Sequence, residues 1–265
     1  MKISEMKKEA LSALSGKYKT FAIISVLVFA ISSIYSIISP LLTNAFVQLL
    51  VYTVYLLVFL LLSYGLAVLA LKTIRNEDIN ISDFINMCFG NVKGVYRVTF
   101  KTILYLILPL ICIIASSTFL LFSIFSAILS ESFSAMILIA LVAFVASFIY
   151  LLVVSLSYVL TSFLLYDNPT ATGKEINQTS KQLMKGFKGK YFLTYLSFLG
   201  WILLISIAAQ IISMAFPQNA MQIASVVLAN LGTAILFPYL NTTMACFYEK
   251  VSLAKTNATN DTTNV

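Results

Sequence analysis

The feature that most constrains this chain is an uncharged apolar stretch at residues 136–165. It contains no charged residue and no proline over thirty positions, and fourteen of the twenty residues at 137–156 are Leu, Ile, Phe or Val. As a helix it would be about 45 Å long, whereas the hydrocarbon core of a bilayer is about 30 Å thick. Each of those side chains favours insertion by about 0.3–0.6 kcal/mol. The stretch therefore predicts a transmembrane helix and not a buried helix of a soluble protein.

Five more segments share this character, which predicts an all-α polytopic membrane protein with six transmembrane helices. The predicted spans lie at about 21–38, 45–71, 102–129, 136–165, 191–215 and 221–247. Only 10% of the residues are charged, where an ordinary soluble domain carries about 25%. Pro109 should kink the third span and Pro238 should interrupt the sixth. We expect one membrane domain at residues 1–250, followed by a disordered polar tail at 251–265.

The basic residues lie on one side of the predicted spans. The chain has 17 Lys and Arg residues and a net charge of +7. Five precede the first span, five lie between spans two and three, five between spans four and five, and two after span six. The three connections on the other side contain none. Because basic residues stay inside, both termini are predicted to be cytoplasmic in a multi-pass protein of the cell membrane. We expect the first span to be retained, since residues 36–40 offer no clear signal-peptide cleavage site.

Three polar segments on that side are predicted to form amphipathic helices. Residues 2–15, about 81–92 and about 172–187 each repeat apolar side chains at helical spacing. The apolar positions are Ile3, Met6, Ala10 and Leu14; then Ile81, Phe84, Ile85, Cys88, Phe89 and Val92; and then Ile176, Leu183, Met184 and Phe187. Two interpretations stay open. Such helices either contact lipid at the membrane surface or pack under the bundle and seal its cytoplasmic end.

A short motif indicates three copies of one unit. Gly-x-Tyr occurs at residues 16–18, 94–96 and 189–191, followed each time by Thr and an aromatic residue. Each copy precedes two spans, so we predict three helical hairpins, each preceded by a cytoplasmic amphipathic helix. The alternative is that these residue types are simply common at membrane interfaces, where Tyr anchors a span.

The predicted spans offer no catalytic or metal-binding constellation. They contain no Asp, Glu, Lys or Arg, and the whole chain has no histidine. This weighs against a proton-coupled transporter and against an intramembrane metalloprotease. The serines in the spans lack a neighbouring base, and the three cysteines form no CxxC pair. We therefore expect no enzymatic activity, no cofactor and no metal. No motif is typical of nucleic-acid binding.

Two sets of polar residues are candidate binding sites. The first is a group of lysines that should contact anionic lipid head groups: Lys181, Lys185, Lys188 and Lys190. Each such contact contributes about 1 kcal/mol. The second set is Gln210 and Asn230, predicted as a polar site near the middle of the membrane. For Asn230 the alternative to a ligand contact is an interhelical hydrogen bond worth about 0.6 kcal/mol.

Several short runs in the second half of the chain resemble those of one protein family. The runs are YDNP at 166–169, SKQLMKG at 180–186, Phe192, LSFLGW at 196–201, Pro238-Tyr239 and Phe247-Tyr248. Together they resemble the bacterial integral-membrane family catalogued as domain of unknown function 975, with the strongest match over residues 160–250. The resemblance implies a bacterial cell membrane and six spans. It implies no assigned activity and adds no catalytic residue.

The sequence favours a membrane protein without enzymatic activity that binds lipids or partner proteins in envelope maintenance. The expected partners are the lipid bilayer, anionic head groups and a membrane protein. The alternative is a transporter or pore for a small or amphiphilic solute, including a role in peptide export or immunity. Pro109 and Pro238 would then provide flexible or broken helices.

Overall fold

A computed structural model describes residues 2–129 and 135–263, with side chains for all of them except 218, 219 and 257–263. In this part of the chain the regular elements are helices. Six segments are long and apolar enough to cross a bilayer: Tyr18–Leu41, Ala45–Ile74, Val92–Leu129, Ala135–Asp167, Lys188–Ser213 and Ala220–Thr256. The predicted all-α class and the number of membrane-length helices are therefore confirmed. The predicted turn at 130–134, which carries Glu131, lies outside the described residues.

The described chain contains ten α-helices in a simple order. They are α1 (Ile3–Leu14), α2 (Tyr18–Ile38), α3 (Ala45–Ile74), α4 (Ile81–Gly90), α5 (Val92–Leu129), α6 (Ala135–Ser155), α7 (Thr161–Asp167), α8 (Gly173–Leu183), α9 (Lys188–Ser213) and α10 (Gln218–Thr263). Short 3-10 turns follow α2 at Ser39–Leu41 and α6 at Leu156–Tyr158. Each of the short helices α1, α4 and α8 is thus followed in the chain by two long helices.

The fourth predicted span is not one continuous α-helix. α6 ends at Ser155, the 3-10 turn Leu156–Tyr158 follows, and α7 begins at Thr161. The carbonyl of Ser157 accepts a hydrogen bond of 2.8 Å from Ser180 Oγ on α8. This contact from outside the helix stabilises the break, because it gives the turn's backbone a partner.

α5 begins earlier than the predicted third span. It starts at Val92 instead of residue 102, and a single residue separates it from the end of α4 at Gly90. Arg97, which we expected in a connecting segment, lies on this helix, and its Nη2 donates to the carbonyl of Ala171 at 2.9 Å. α5 continues through Pro109 within its bounds.

α10 is longer than the predicted sixth span. It continues through Pro238, where we expected an interruption, and reaches Thr263, although we placed a disordered tail from residue 251. Val251 is fully buried, and Lys250 Nζ lies 2.6 Å from Glu9 Oε2 of α1. Packing against α1 therefore supports the helix beyond residue 250, a contact that the polar composition of the tail does not indicate.

Met1–Val95 and Gly189–Val265 form one compact unit. In it α2 packs along α10, α1 packs on α10 and α3, and α4 packs on α3. Tyr18 Oη donates to the carbonyl of Ile235 at 2.7 Å, and the rings of Phe29 and Phe237 meet edge to face with centroids 5.2 Å apart. Its largest fully buried side chains include Met6, Phe21, Ile24, Leu69, Phe198 and Phe247. Because lipid chains are as apolar as these side chains, close packing and interhelical hydrogen bonds hold the membrane-length helices of this unit together.

Tyr96–Lys188 form the second compact unit. Here α8 packs on α7 and on the 3-10 turn that precedes it. Thr102 Oγ1 of α5 donates to Asn177 Oδ1 of α8 at 2.9 Å, and the rings of Tyr105 and Tyr158 stack with centroids 5.3 Å apart. The apolar core around α8 includes Leu160, Leu165 and Met184. These contacts fix which face of α8 is available to a ligand.

The short helices α1, α4 and α8 bury side chains spaced by four residues. These positions are Met6, Ala10 and Leu14 in α1, Phe84 and Cys88 in α4, and Ile176 and Ser180 in α8, followed by its cap residue Met184; α8 also buries Asn177. Gly16 and Gly186 each follow two residues after the last of these positions in α1 and α8, with φ of +79° and +86°. Glycine adopts that backbone without strain. Gly189 of the Gly-x-Tyr motif lacks a positive φ, so the counterpart of Gly16 is Gly186.

Candidate functional site

Three of the four candidate lysines line one cavity in the second unit. The cavity has a volume of about 460 Å³. We call it the lysine cavity, and its lining residues are Gln178, Lys181, Gln182, Lys185 and Lys188. Lys190, the fourth candidate, is exposed and does not line it. The structure therefore brings together Lys181 of α8, Lys185 in the turn that follows it and Lys188, the first residue of α9.

Thr172 and Glu175 form a reciprocal cap at the start of α8, and Glu175 is the acidic residue nearest in sequence to the cavity lysines. Thr172 Oγ1 accepts from the Glu175 backbone N–H at 3.3 Å, and the Thr172 N–H donates to Glu175 Oε2 at 2.9 Å. This reciprocal pairing satisfies two free N–H groups at the helix start. Lys181 lies in the last turn, where the helix dipole favours a cation. Glu175 thus lies at the start of α8 and Lys181 at its end, although Lys174 lies beside Glu175 in the first turn.

The buried face of α8 determines the direction of its lysines. Asn177 Nδ2 donates to the Gly173 carbonyl at 2.8 Å, while Ser180 Oγ bonds the Ser157 carbonyl at 2.8 Å. Asn177 and Ser180 are fully buried. Residues three and four apart share a helix face, and positions 178, 181, 182 and 185 are all exposed. Two lysines and two glutamines therefore form one polar surface that the core contacts hold in place.

Lys188 contributes to the cavity from the start of α9. Its Nζ donates to the Val153 carbonyl at 3.0 Å, in the last turn of α6. A cation is favourable there because the carbonyl end of a helix carries partial negative charge. No acidic side chain is among the residues that line this cavity in the described chain. Its positive charge is therefore not balanced by its own lining.

The lining of the lysine cavity has the chemistry of an anion site. Lysine ammonium groups bind phosphate as point charges, and the amide groups of glutamine can donate further hydrogen bonds. A volume of about 460 Å³ lies within the usual range of roughly 300–1,000 Å³ for small-molecule sites. These lining residues therefore suit the binding of a small anionic group.

Asn230 and Gln210 do not share a site. Asn230 Nδ2 on α10 donates to Ser33 Oγ on α2 at 2.8 Å. Asn230 and Ser33 line a cavity of about 180 Å³ whose other walls are apolar. Gln210 lies exposed on α9 and is not a lining residue of that cavity. The interhelical hydrogen bond that we gave as the alternative for Asn230 is present in the structure.

Sequence reasoning missed the two glutamines of the lysine cavity. Gln178 and Gln182 are spaced by three and four residues from Lys181 and Lys185. That spacing places all four on one helix face. Applying it to polar residues as well as to apolar ones would have found the complete surface.

Lys7 of α1 has a structural role that its sequence context does not indicate. Its Nζ lies 4.3 Å from the ring centroid of Phe198 and 3.5 Å from the Ser197 carbonyl. Partial burial of the ammonium group lowers the pKa of Lys7 below its usual value. A lysine over an aromatic face is attracted by the ring's negative potential. Lys7 therefore holds α1 against α9.

The cysteines show no reactive arrangement in the described chain. Cys88, Cys112 and Cys246 are free, and no three His, Cys, Asp or Glu side chains of the described residues come together as a metal site. Burial raises the pKa of the Cys88 thiol to about 12. The thiolate is the reactive form, so Cys88 is protonated and inert near neutral pH.

The fold defines the chain as a multi-pass helical membrane protein, since six of its helices have the length and composition to cross a bilayer. The chain belongs to the family described as "Protein of unknown function (DUF975)", whose profile matches residues 1–255. The match covers nearly the whole chain and extends well beyond the 160–250 region that carries the resemblance. Searches of curated proteins and of solved structures give no match.

Proposed function

We propose that this protein binds anionic lipid head groups in the lysine cavity and has no enzymatic activity. It acts in envelope maintenance as an integral protein of the bacterial cell membrane, with a membrane protein as a further partner. Both termini are cytoplasmic in this proposal, because the basic residues concentrate at one end of the spans. The chain then forms three hairpins, each preceded by an amphipathic helix at the cytoplasmic face: α1, α4 and α8.

The observation that carries the proposal is the grouping of Lys181, Lys185 and Lys188 around one cavity without an acidic lining residue in the described chain. Three cations at the end of membrane-length helices would lie at the level of the lipid phosphates. The apolar face of α8 is buried in the protein. In this proposal α8 therefore contacts the membrane through its charged side chains and not through its apolar face.

Replacing the cavity lysines should remove the binding. We expect Lys181→Gln, Lys185→Gln and Lys188→Gln each to weaken binding about fivefold, and the triple variant on the order of 100-fold, since each contact contributes about 1 kcal/mol. The measurement is the affinity of the full chain in neutral detergent for fluorescent phosphatidylglycerol, with phosphatidylcholine as the uncharged reference.

A matched variant separates the cavity from general surface charge. The double variant Lys174→Gln/Lys190→Gln removes two exposed lysines that do not line the cavity. We expect its affinity to stay close to that of the unchanged chain. Equal losses per lysine in both variants would show that binding follows net charge alone and would refute a defined site.

Transport of a small or amphiphilic solute is the second candidate function. The cavity beside Asn230 and Ser33 favours it, since it lies between two membrane-length helices. Pro238, inside α10, provides a point where helical hydrogen bonding is incomplete. Proteoliposomes that contain the full chain should then release a trapped amphiphilic peptide faster than protein-free ones, and Asn230→Leu should slow this release. Equal release with and without protein would rule this function out for that peptide.

A further inference from the structure

A groove runs between α2 and α10 in the first unit. Two cavities of about 180 Å³ each are adjacent, since Ile37 lines both. The first also has Phe29, Ser33 and Asn230 in its walls, and the second has Gln222. We call this pair of cavities the α2–α10 groove.

The groove lies along the second half of α2 and the 3-10 turn that follows it, since its lining on that side runs from Phe29 to Leu41. At its inner end Phe29 contacts Phe237 edge to face. On the other side of this ring pair, Ile24, Val28 and Ala234 are at most 2% exposed. The inner end of the groove therefore adjoins a closely packed stretch of the two helices.

Other contacts of the two helices do not fill the groove. Tyr35 of α2 stacks on Tyr55 of α3 with ring centroids 4.2 Å apart. On α10, Gly232 allows a close approach of Ile205 from α9, which a Cβ at that position would prevent. α2 and α10 are thus held from their other sides, and neither Tyr35 nor Ile205 lines the groove.

We propose that the α2–α10 groove binds the alkyl chain of one membrane amphiphile, with its polar group at the end that Ser36 and Gln222 line. A gap between apolar walls loses contacts unless something fills it, and such gaps do not attract water. Both helices have the length and composition of membrane spans, so the medium that reaches the groove is lipid. An alkyl chain is the part of lipid that matches these walls.

The dimensions and polar groups of the groove fit this occupant. Residues 29–41 cover about 18 Å of helix, close to the roughly 15 Å thickness of hydrocarbon in one leaflet. Ser36 and Gln222 lie in the outer cavity and can hydrogen-bond a head group or an ester. Deeper in the groove, Ser33 and Asn230 bond each other at 2.8 Å. Because Asn230 Nδ2 already donates to Ser33 Oγ, an apolar chain can lie beside this pair without leaving the donor unsatisfied.

Photo-crosslinking tests this proposal directly. The probe is palmitate with a diazirine near the end of its chain, added to the full-length protein in phosphatidylcholine vesicles. We expect crosslinks concentrated in residues 29–41 and 222–231, mapped by peptide mass spectrometry. Filling the groove with Val227→Trp should reduce these crosslinks about tenfold, because overpacking excludes the chain. Ile235→Trp, at an exposed position of the same helix outside the groove, should leave them unchanged.

Two further variants test whether the crosslinks depend on the groove itself. Ala30→Phe fills the groove from α2, so a loss of crosslinks in both filling variants, at unchanged thermal stability in detergent, supports the groove. Crosslinks spread evenly over all six spans, with no effect of either variant, would overturn it and indicate only bulk lipid. The triple variant of Lys181, Lys185 and Lys188 should keep the groove crosslinks. Failure of the lysine cavity and failure of the groove are thus seen separately.

Discussion

The helices α4 and α8 use similar buried faces but present different outward faces. Both bury side chains spaced by four residues, with Cys88 in α4 and Ser180 in α8 fully buried. On α8 the outward positions are polar and include Gln178, Lys181 and Gln182 of the lysine cavity. On α4 the outward row is apolar, with Ile81, Ile85 and Phe89 between 45% and 52% exposed.

If α4 and α8 both lie at the membrane surface, as proposed above, the difference gives them two kinds of membrane contact. An apolar row beside a membrane span would insert at the boundary of head groups and acyl chains. A lysine surface on a helix whose apolar side is already buried would contact the membrane through charge. Membrane contact through α4 should therefore be insensitive to salt, whereas contact through α8 should weaken as salt rises.

The largest difference should appear in thiol reactivity. At pH 8 we expect the charged methanethiosulfonate reagent to modify Gln178→Cys on α8 on the order of 1,000-fold faster than Cys88 on α4, because the thiolate fraction falls with a raised pKa. Peptide mass spectrometry distinguishes both from Cys112 and Cys246. Comparable rates at the two sites would mean that Cys88 is not buried against α3.

The same pKa shift of Cys88 has a consequence for stability. The folded chain holds the thiol protonated up to about pH 12, whereas an exposed cysteine ionises near pH 8.5. The unfolded state therefore binds fewer protons above that value, and the contribution of Cys88 to stability falls as pH rises. Cys88→Ala should remove this part of the alkaline loss, measured by unfolding at pH 8 and pH 10.

Gly65 tests how closely α4 packs on α3. A Cβ at this position would clash with Cys88 Sγ and lie 2.9 Å from Phe84 Cε2. Gly65→Ala should therefore destabilise the protein by about 1–3 kcal/mol, the usual cost of overpacking. The control is Gly200→Ala on α9, where a Cβ meets open space. In thermal unfolding in detergent, Gly65→Ala should have a lower midpoint than the unchanged chain, and Gly200→Ala should not. Equal midpoints for the two variants would contradict the close packing of α4 on Gly65.

Ser180 tests the corresponding contact of α8. Ser180→Ala removes the hydrogen bond to the Ser157 carbonyl and should cost about 1 kcal/mol. Ser206→Ala on α9 is the matched control, since that exposed hydroxyl bonds only its own helix at the Ile202 carbonyl. A loss confined to Ser180→Ala, in stability and in phosphatidylglycerol affinity, would link the buried face of α8 to its lysines. Equal stability of the two variants would remove that link.

The smallest expected effect is a difference in reagent preference at the outward apolar row of α4. In vesicles, Ile85→Cys should react severalfold faster with a lipid-soluble maleimide than with a charged one, while Gln178→Cys should prefer the charged reagent. The ratio of the two rates at each site is the measurement. The same preference at both sites would mean that α4 and α8 face the same medium.

Much of the fold follows from hydropathy, because apolar runs of membrane length have few alternatives to a helix. The predicted starts and ends of most spans lie within a few residues of the helices. The 3-10 turn before α7 and the length of α10 depend on contacts distant in sequence. The first needs the bond from Ser180 to Ser157, and the second needs the burial of Val251 and the ion pair of Lys250 with Glu9.

The candidate sites were predictable to the extent that helix periodicity determines them. Lys181 and Lys185 share a face by spacing alone, and Lys188 joins them from the next helix. Lys190 does not line the cavity although it lies two residues further on. Side chains two residues apart on a helix do not share a face, so the place of Lys190 on α9 follows from its spacing to Lys188. Asn230, by contrast, meets Ser33 only because α2 and α10 pack together, a relation that local sequence does not show.

The most direct test of the account is the side of the membrane on which the lysine cavity lies. A membrane-impermeant thiol reagent on intact cells should label Phe216→Cys, in the uncharged turn between α9 and α10, and should label Lys185→Cys only after the cells are permeabilised. Labelling of Lys185→Cys in intact cells at the rate of Phe216→Cys would contradict the account, because the cavity would then face away from the cytoplasmic lipids.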